Sequence, residues 1–490
     1  MTTQKLETLN FDNSFGRLPD FYYTRLSPTP IPAPYLVSFN PDAAALIDLD
    51  PAEVTRPEFI EYFSGNRPLP GSSPLAMLYS GHQFGVYVPQ LGDGRAILLG
   101  EIKNSAGERW ELQLKGAGRT PYSRDGDGRA VLRSTIREYL CGEAMHGLGI
   151  PTTRALCMVG SDLKVYRETT ETTAVLVRLA PSHLRFGSFQ VFYYRKQFDR
   201  LQGLADYVIA EHFPECLGSE NPYTNFFTEV VLRTARLMAG WQAVGFAHGV
   251  MNTDNMSILG LTFDYGPFGF VEYFDPGFIC NHTDQMGRYA FNRQPEIGLW
   301  NLGALAQVLT PLISKEKLTE ALNQYEPAFQ ADYSKRMVQK LGLKKFLDSD
   351  VSLVSELLSL LQTNRVDYTN FFRALGDFKR SGVDPTAPVR MMFTDLQQFD
   401  AWAKQYQSRL ITEEWEDADR KQAMDRVNPK YILRNYLAQI AIEKASGGDI
   451  SEIDRLRQLL KNPFDEQPDM GKYTAPPPDW AKELHVSCSS

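Results

Sequence analysis

The stretch His248 to Asp264, HGVMNTDNMSILGLTFD, constrains this chain more than any other. It gathers Asn252, Asp254 and Asn255, follows them with a short apolar run, and ends on a second carboxylate, Asp264. Asn and Asp side chains bond nearby backbone groups and so build turns, and NTDN serves that purpose well. The same oxygens are hard ligands of the kind Mg²⁺ or Mn²⁺ prefers. What stands upstream decides between the two uses.

Residues 1–80 hold Pro28, Pro30, Pro32 and Pro34 in close succession, which favours extended backbone and interrupts helices. Short helical pieces are expected near Asp42 to Ile47 and Arg56 to Phe63, in an N-terminal extension wrapping a first lobe. From Gly81 the pattern turns to strands. Phe84 to Gln90, Arg95 to Ile102 and Arg109 to Lys115 are apolar or alternating, and the turns Gly92-Asp93-Gly94 and Asn104 to Gly107 between them predict consecutive hairpins. In the third run Lys115 falls on the face opposite Trp110, Leu112 and Leu114. The loop at 116–129, GAGRTPYSRDGDGR, precedes a helix over about Ala130 to His146, set by Val131, Leu132, Ile136, Tyr139 and Leu140, with Glu138 inside it.

Further strands over Arg154 to Val159, Leu163 to Arg167 and Thr173 to Leu179 complete a β-rich lobe spanning 81–180. Beyond Ala180-Pro181-Ser182 the pattern is mainly helical, over Tyr194 to Phe213 and Asn225 to Val244. Short strands are expected around Met256 to Phe263 and Phe268 to Tyr273, and more helices up to 460. The predicted second lobe covers 181–461, and a Pro-rich polar tail covers 462–490.

In protein kinases a Gly-rich loop covers the phosphates and a Lys on the third strand grips them. A Glu on the next helix positions that Lys, and an Asn and a later Asp hold the metal. Gly92 and Gly94, Lys115, Glu138, Asn255 and Asp264 fall in that order. Each alone is ordinary, since Gly turns are common and a helical Glu usually pairs locally. Together they predict a two-lobed, protein-kinase-like α+β fold with a metal-dependent ATP site. Val250 stands at the kinase catalytic-Asp position and cannot accept a proton, which speaks against γ-phosphoryl transfer.

HGVMNTDNMSILG with the following LTFDYGP, the loop QLGDGRA, the run LQLKGAGRTPYSRDGDGRAVLRSTIREYL and the terminal HVSCSS resemble the selenoprotein O family over nearly the whole chain. The resemblance implies a protein nucleotidyltransferase with a pseudokinase fold. Such an enzyme transfers AMP from ATP to Ser, Thr or Tyr hydroxyls, with the nucleotide bound the opposite way round from a kinase. UMP transfer and a non-catalytic nucleotide-binding scaffold are the alternatives. It implies nucleotide binding at Gly92, Gly94, Arg95, Lys115, Asp127, Gly128, Arg178, Arg185 and Asp264, and Mg²⁺ or Mn²⁺ at Asn255 and Asp264. Asp254 becomes the proton acceptor. An Arg cluster suits a triphosphate, because guanidinium binds phosphate bidentately, although surface salt bridging accounts equally for Arg178 and Arg185. In the family the place of Cys488 holds selenocysteine or Cys, and a reversible disulfide from Cys488 to Cys280, tying the tail over the site, is the expected redox device.

A net charge of −8 argues against a nucleic-acid partner. No run of about 18 uncharged apolar residues suggests a membrane span, and the start has no secretory or transit pattern. The five cysteines, odd in number and without a C-x-x-C pair, fit a reducing compartment. The expectation is a cytoplasmic monomer whose partners are protein substrates, the chain itself among the candidates.

Overall fold

The computed structural model describes residues 3–382, 384, 386–484 and 486. In chain order the first part forms β1 (Tyr23–Arg25), β2 (Tyr35–Phe39), α1 (Pro41–Ala45), α2 (Pro57–Phe63), β3 (Leu75–Met77), β4 (Gly81–Gln83), β5 (Val86–Val88), β6 (Ala96–Lys103) and β7 (Arg109–Lys115). It continues with β8 (Ala130–Val131), α3 (Leu132–Gly147), β9 (Arg154–Tyr166) and β10 (Thr170–Ala180). The main sheet is open and antiparallel in the order β1-β3-β6-β7-β10-β9-β2, with β8 pairing beside β10. Residues before 81 therefore supply three strands of the sheet itself as well as helices.

Both faces of the sheet are buried because apolar residues occupy both parities of its central strands. Ile97, Leu99, Val175 and Val177 pack with Phe59 and Phe63 of α2. Leu98 and Leu176 point the other way, into a cluster with Ile136, Tyr139 and Leu140 of α3. Helices over Asn435–Ser446 and Ser451–Lys461 pack on α3 in turn, so α3 is buried along most of its length, Glu138 included.

The remainder is helical, beginning with α4 (Phe186–Tyr194), α5 (Phe198–His212) and α6 (Pro222–Val244). A two-stranded ladder of β11 (Phe246–Ala247) and β12 (Gly269–Phe270) brackets the His248 to Asp264 stretch, and α7 (Gln294–Leu309) follows. Later helices build a separate apolar cluster around Leu357, Phe371, Trp402 and Tyr406. The architecture is the expected mixed fold with a kinase-like order of elements. Among the described residues no helix is long and apolar enough to cross a membrane.

Four local expectations are corrected. The run Phe84 to Gln90 does not join the meander: β5 turns back onto β4, and the neighbours of β6 are β3 and β7. Gly92-Asp93-Gly94 is consequently a loop and not a hairpin turn. Leu163 to Arg167 is the far end of β9, because the chain continues through Gly160 without a break. The helix expected over Tyr194 to Phe213 is present but begins at Phe198, because the chain breaks at Lys196 with φ 58° after an unexpected α4, and Met256 to Phe263 forms no strand of its own, only isolated bridges from Ser257 to Arg185 and from Thr262 to Thr152.

Candidate active site

Pairing of β7 with β10 sets Gln113 opposite Arg178, one alternation from Lys115. Strand period two puts Gln113 and Lys115 on the same face, toward α3. There Lys115 Nζ donates to Glu138 Oε2 at 2.5 Å, and Arg178 Nη1 donates to Glu138 Oε1 at 3.0 Å. Arg178 also donates to Asp264 Oδ1 at 2.5 Å, while Lys115 Nζ lies 3.6 Å from that oxygen. Arg185, at the start of α4, donates to Asp264 Oδ2 at 2.8 Å and to the Asp254 carbonyl at 2.8 Å. Its guanidinium is sandwiched by Tyr79 and Phe263, 4.2 and 4.7 Å from the ring centroids.

Arg178 and Arg185 are 2% and 1% exposed, so neither is a surface salt bridge. Burial alone would push the Asp264 carboxyl up, but Arg178, Arg185 and Lys115 outweigh it and hold the group well below the usual carboxylate range. The carboxylate is thus ionised and its backbone sits in the left-handed region, φ 55°, which Asp tolerates better than most residues. Arg185 Nη2 is buried and has no hydrogen-bond partner among the described residues. It lies 4.0 Å from Asp93 Oδ1, beyond hydrogen-bond reach, so its N–H groups can still donate to an anion.

These groups open onto a cleft of about 810 Å³. Gly92, Gly94, Arg95, Lys115, Asp127, Gly128, Arg178, Arg185, Asp254, Asn255 and Asp264 all line it, and Glu138 stands behind Lys115. Asp127 is held by paired donors from Arg167, both at 2.9 Å, and by the Arg129 N–H at 2.9 Å. Val250 lines the same cleft without offering a base.

In the central loop, His248 stacks on Trp241 and shares a hydrogen bond with the Phe263 carbonyl at 3.0 Å, a packing role. Asn255 Nδ2 donates to the Val250 carbonyl at 3.0 Å, so its amide oxygen is the atom that could hold a cation. Burial pushes the Asp254 carboxyl up to about 6, against a hydrogen bond from Gln83 and the charge of Arg185. Among the described residues no three His, Cys, Asp or Glu side chains converge as a metal cage. Asn255 and Asp264 fit a Mg²⁺-type ion, which commonly takes one or two protein ligands and completes its shell with phosphate oxygens and water.

A sequence profile described as Protein adenylyltransferase SelO matches residues 5–461. The chain is 60% identical over 486 residues to the protein nucleotidyltransferase YdiU of Thiobacillus denitrificans, covering 99% of each. It is 59% identical over 485 residues to that of Myxococcus xanthus, again 99% of each, and 54% identical over 488 residues to that of Azotobacter vinelandii, covering 99% of this chain and 100% of the relative. The chain belongs to the SelO family.

The two cysteines expected to pair across the SelO tail are placed only in part. Cys280 is buried, with Sγ 3.5 Å from the Ala247 carbonyl. It does not line the cleft. Cys488 lies outside the described residues, but the tail reaches the same segment at Val486, whose carbonyl accepts from the His282 N–H at 3.2 Å. Sequence reasoning missed three contributors to this SelO site. Arg167 and Gln113 carried no local signal, because their partners Asp127 and Arg178 are 40 and 65 residues away. Gln83 is the third.

Proposed function

We propose that the cleft binds ATP with its terminal phosphates drawn into the Lys115, Arg178 and Arg185 corner, and transfers AMP to a protein hydroxyl. The acceptor oxygen forms a bond to the α-phosphorus, the bond from that phosphorus to the β-phosphate oxygen breaks, and pyrophosphate leaves. Asp254 takes the proton of the acceptor hydroxyl. Asn255 and Asp264 would hold a divalent cation, which would supply charge neutralisation for the phosphates.

The observation that carries this reading is the buried arginine pair lining the cleft, with Arg185 Nη2 making no hydrogen bond among the described residues and only a 4.0 Å ion pair with Asp93. With Lys115 they make three cations in one corner, shared among Asp264, Glu138 and Asp93, a density of positive charge that suits a polyphosphate. Val250 removes the kinase base, and Asp254, four residues on, is the carboxylate that remains in the loop. Lys115 and Glu138 fix the phosphate corner, while Gly92, Gly94, Arg95, Asp127 and Gly128 bound the nucleotide's path along the β-rich part. The substrates are proteins, and the setting we propose is the cytoplasm.

The test is label transfer from α-³²P-ATP to protein. Asp254→Ala is expected to lose label by at least about 100-fold while still binding nucleotide. Wild-type labelling in that variant would remove Asp254 from the role.

A further inference from the structure

The kinase-type order of parts has no counterpart for the hairpin of β4 and β5, yet this hairpin is the element that grips the central loop. Its two-residue turn, Phe84-Gly85, has φ 49° and 83°, the pair of positive values that a tight hairpin turn requires. Three successive residues of the hairpin then reach the loop. His82 N–H donates to Thr253 Oγ1 at 2.7 Å, Gln83 Nε2 donates to Asp254 Oδ2 at 3.2 Å, and Phe84 N–H donates to Asn252 Oδ1 at 3.2 Å. Thr253 is anchored from behind by Gln190 of α4, at 2.7 Å, and Asn252 by the Tyr289 hydroxyl, at 2.6 Å. The hairpin therefore aligns Asn252, Thr253 and Asp254 as a unit.

The two oxygens of Asp254 are not equivalent. Oδ1 is buried without a hydrogen-bond partner among the described residues, and it lies against the Gly81 backbone so closely that a Cβ there would stand 2.6 Å from it. Gly81 is thus the side chain's back wall. The oxygen left to meet an acceptor hydroxyl is Oδ2, and the side-chain donor on Oδ2 is the amide of Gln83. A carboxylate oxygen has a second lone pair, so it can hold Gln83 and an incoming hydroxyl together.

We infer that Gln83 is a positioning residue for activation of the AMP-accepting hydroxyl: its amide N–H, braced by the β4–β5 hairpin, fixes the direction in which Asp254 Oδ2 faces the acceptor. The inference rests on the reading of Asp254 as proton acceptor. It assigns to Gln83 no contact with nucleotide chemistry, only the aim of the carboxylate. Misplacement of a reacting group by about 1 Å can cost on the order of 100-fold in rate, so the expected effects lie between that and about 10-fold.

The test compares Gln83→Glu and Gln83→Met in the full chain, with α-³²P-ATP at saturation and casein or the chain itself as acceptor. Glu matches Gln in shape but replaces the N–H donor with a second carboxylate beside Asp254, whereas Met fills the space and offers nothing. The expected result is a kcat loss of about 10-fold for Met and a larger one for Glu, with the melting temperature and the affinity for a non-hydrolysable ATP analogue close to wild type in Met. A merely structural role at this half-buried hairpin position predicts the reverse order, with Glu the milder change. Wild-type kcat in Glu, or a loss confined to nucleotide affinity, overturns the inference. An Asp254→Ala arm separates the two readings: if that variant keeps wild-type kcat, the proton-acceptor role fails and the inference with it. If it is inactive while Gln83→Glu is not, the inference alone fails.

Discussion

Arg178 donates to Asp264 Oδ1 at 2.5 Å across 86 residues of sequence, and the same guanidinium nitrogen holds Glu138 Oε1 at 3.0 Å. One buried cation thus locks the central strand, the helix behind it and the metal-type carboxylate into one unit before any nucleotide arrives. Removing it leaves two buried carboxylates with one fewer partner, and breaking a buried pair in this way costs about 3–5 kcal/mol. Arg178→Ala is therefore expected to lower stability by that order in denaturant unfolding of the nucleotide-free protein. A loss under about 1 kcal/mol would show that Lys115 and Arg185 suffice.

Lys115 differs from Arg178 in being only partly buried, 16% exposed at its side chain, and its loss uncovers less charge. Lys115→Met is expected to keep the fold and to lower transfer by on the order of 100-fold, as removal of one preorganised donor to a reacting oxyanion does elsewhere. Kinetics with circular dichroism in parallel would check both halves. A variant that unfolds, or one that transfers at the wild-type rate, contradicts this division of labour.

A pH dependence of stability follows from a different pair. Glu101 of β6 and Glu111 of β7 are register partners, and both are buried. Burial, then the charge of Glu111, pushes Glu101 up to about 7, against hydrogen bonds from Ser14 and the Phe15 N–H and the charge of Arg109. Burial pushes Glu111 up to about 8, against hydrogen bonds from His183 and Ser182. A folded-state pKa above the ordinary 4.5 means the native state binds the proton more tightly than the unfolded chain. The stabilisation is complete below about 4.5 and is lost as pH rises through about 7 and then about 8. Glu101→Gln should therefore gain in melting temperature relative to wild type between pH 5 and pH 8. A difference that is flat in pH would mean that Glu101 titrates normally.

Cys280 and the tail supply the redox prediction. With Val486 already on His282, two residues past Cys280, a link from Cys280 to Cys488 needs little chain. Peptide mapping of oxidised, unreduced protein is expected to yield that cross-linked pair, and Cys488→Ser is expected to abolish it. Recovery of both cysteines only as free thiols after oxidation would sink the idea.

Much of this was legible in the sequence because the signals were local. Lys115 could be placed from strand alternation and Glu138 from helical spacing. Asn255 and Asp264 could be placed from one short stretch. What the sequence hid was contact at long range and turn geometry set by packing. Gln83 meets Asp254 across 171 residues, and nothing around it marks that role. The hairpin was hidden too, because its turn places Phe84 at positive φ, where Gly, Asn or Asp is the usual sign, while the obvious Gly92-Asp93-Gly94 turn belongs to a loop. The break at Lys196 likewise has no Gly or Pro to announce it.

The central claim is that this site moves the α-phosphoryl group with its nucleoside and not the γ-phosphoryl group. The direct measurement is parallel incubation of wild type and Asp264→Ala with α-³²P-ATP and with γ-³²P-ATP, in Mg²⁺ or Mn²⁺, following label on protein. The account predicts label from the α position only, lost in Asp264→Ala. Label from the γ position, despite Val250, would contradict it, as would nucleotide that binds and labels nothing.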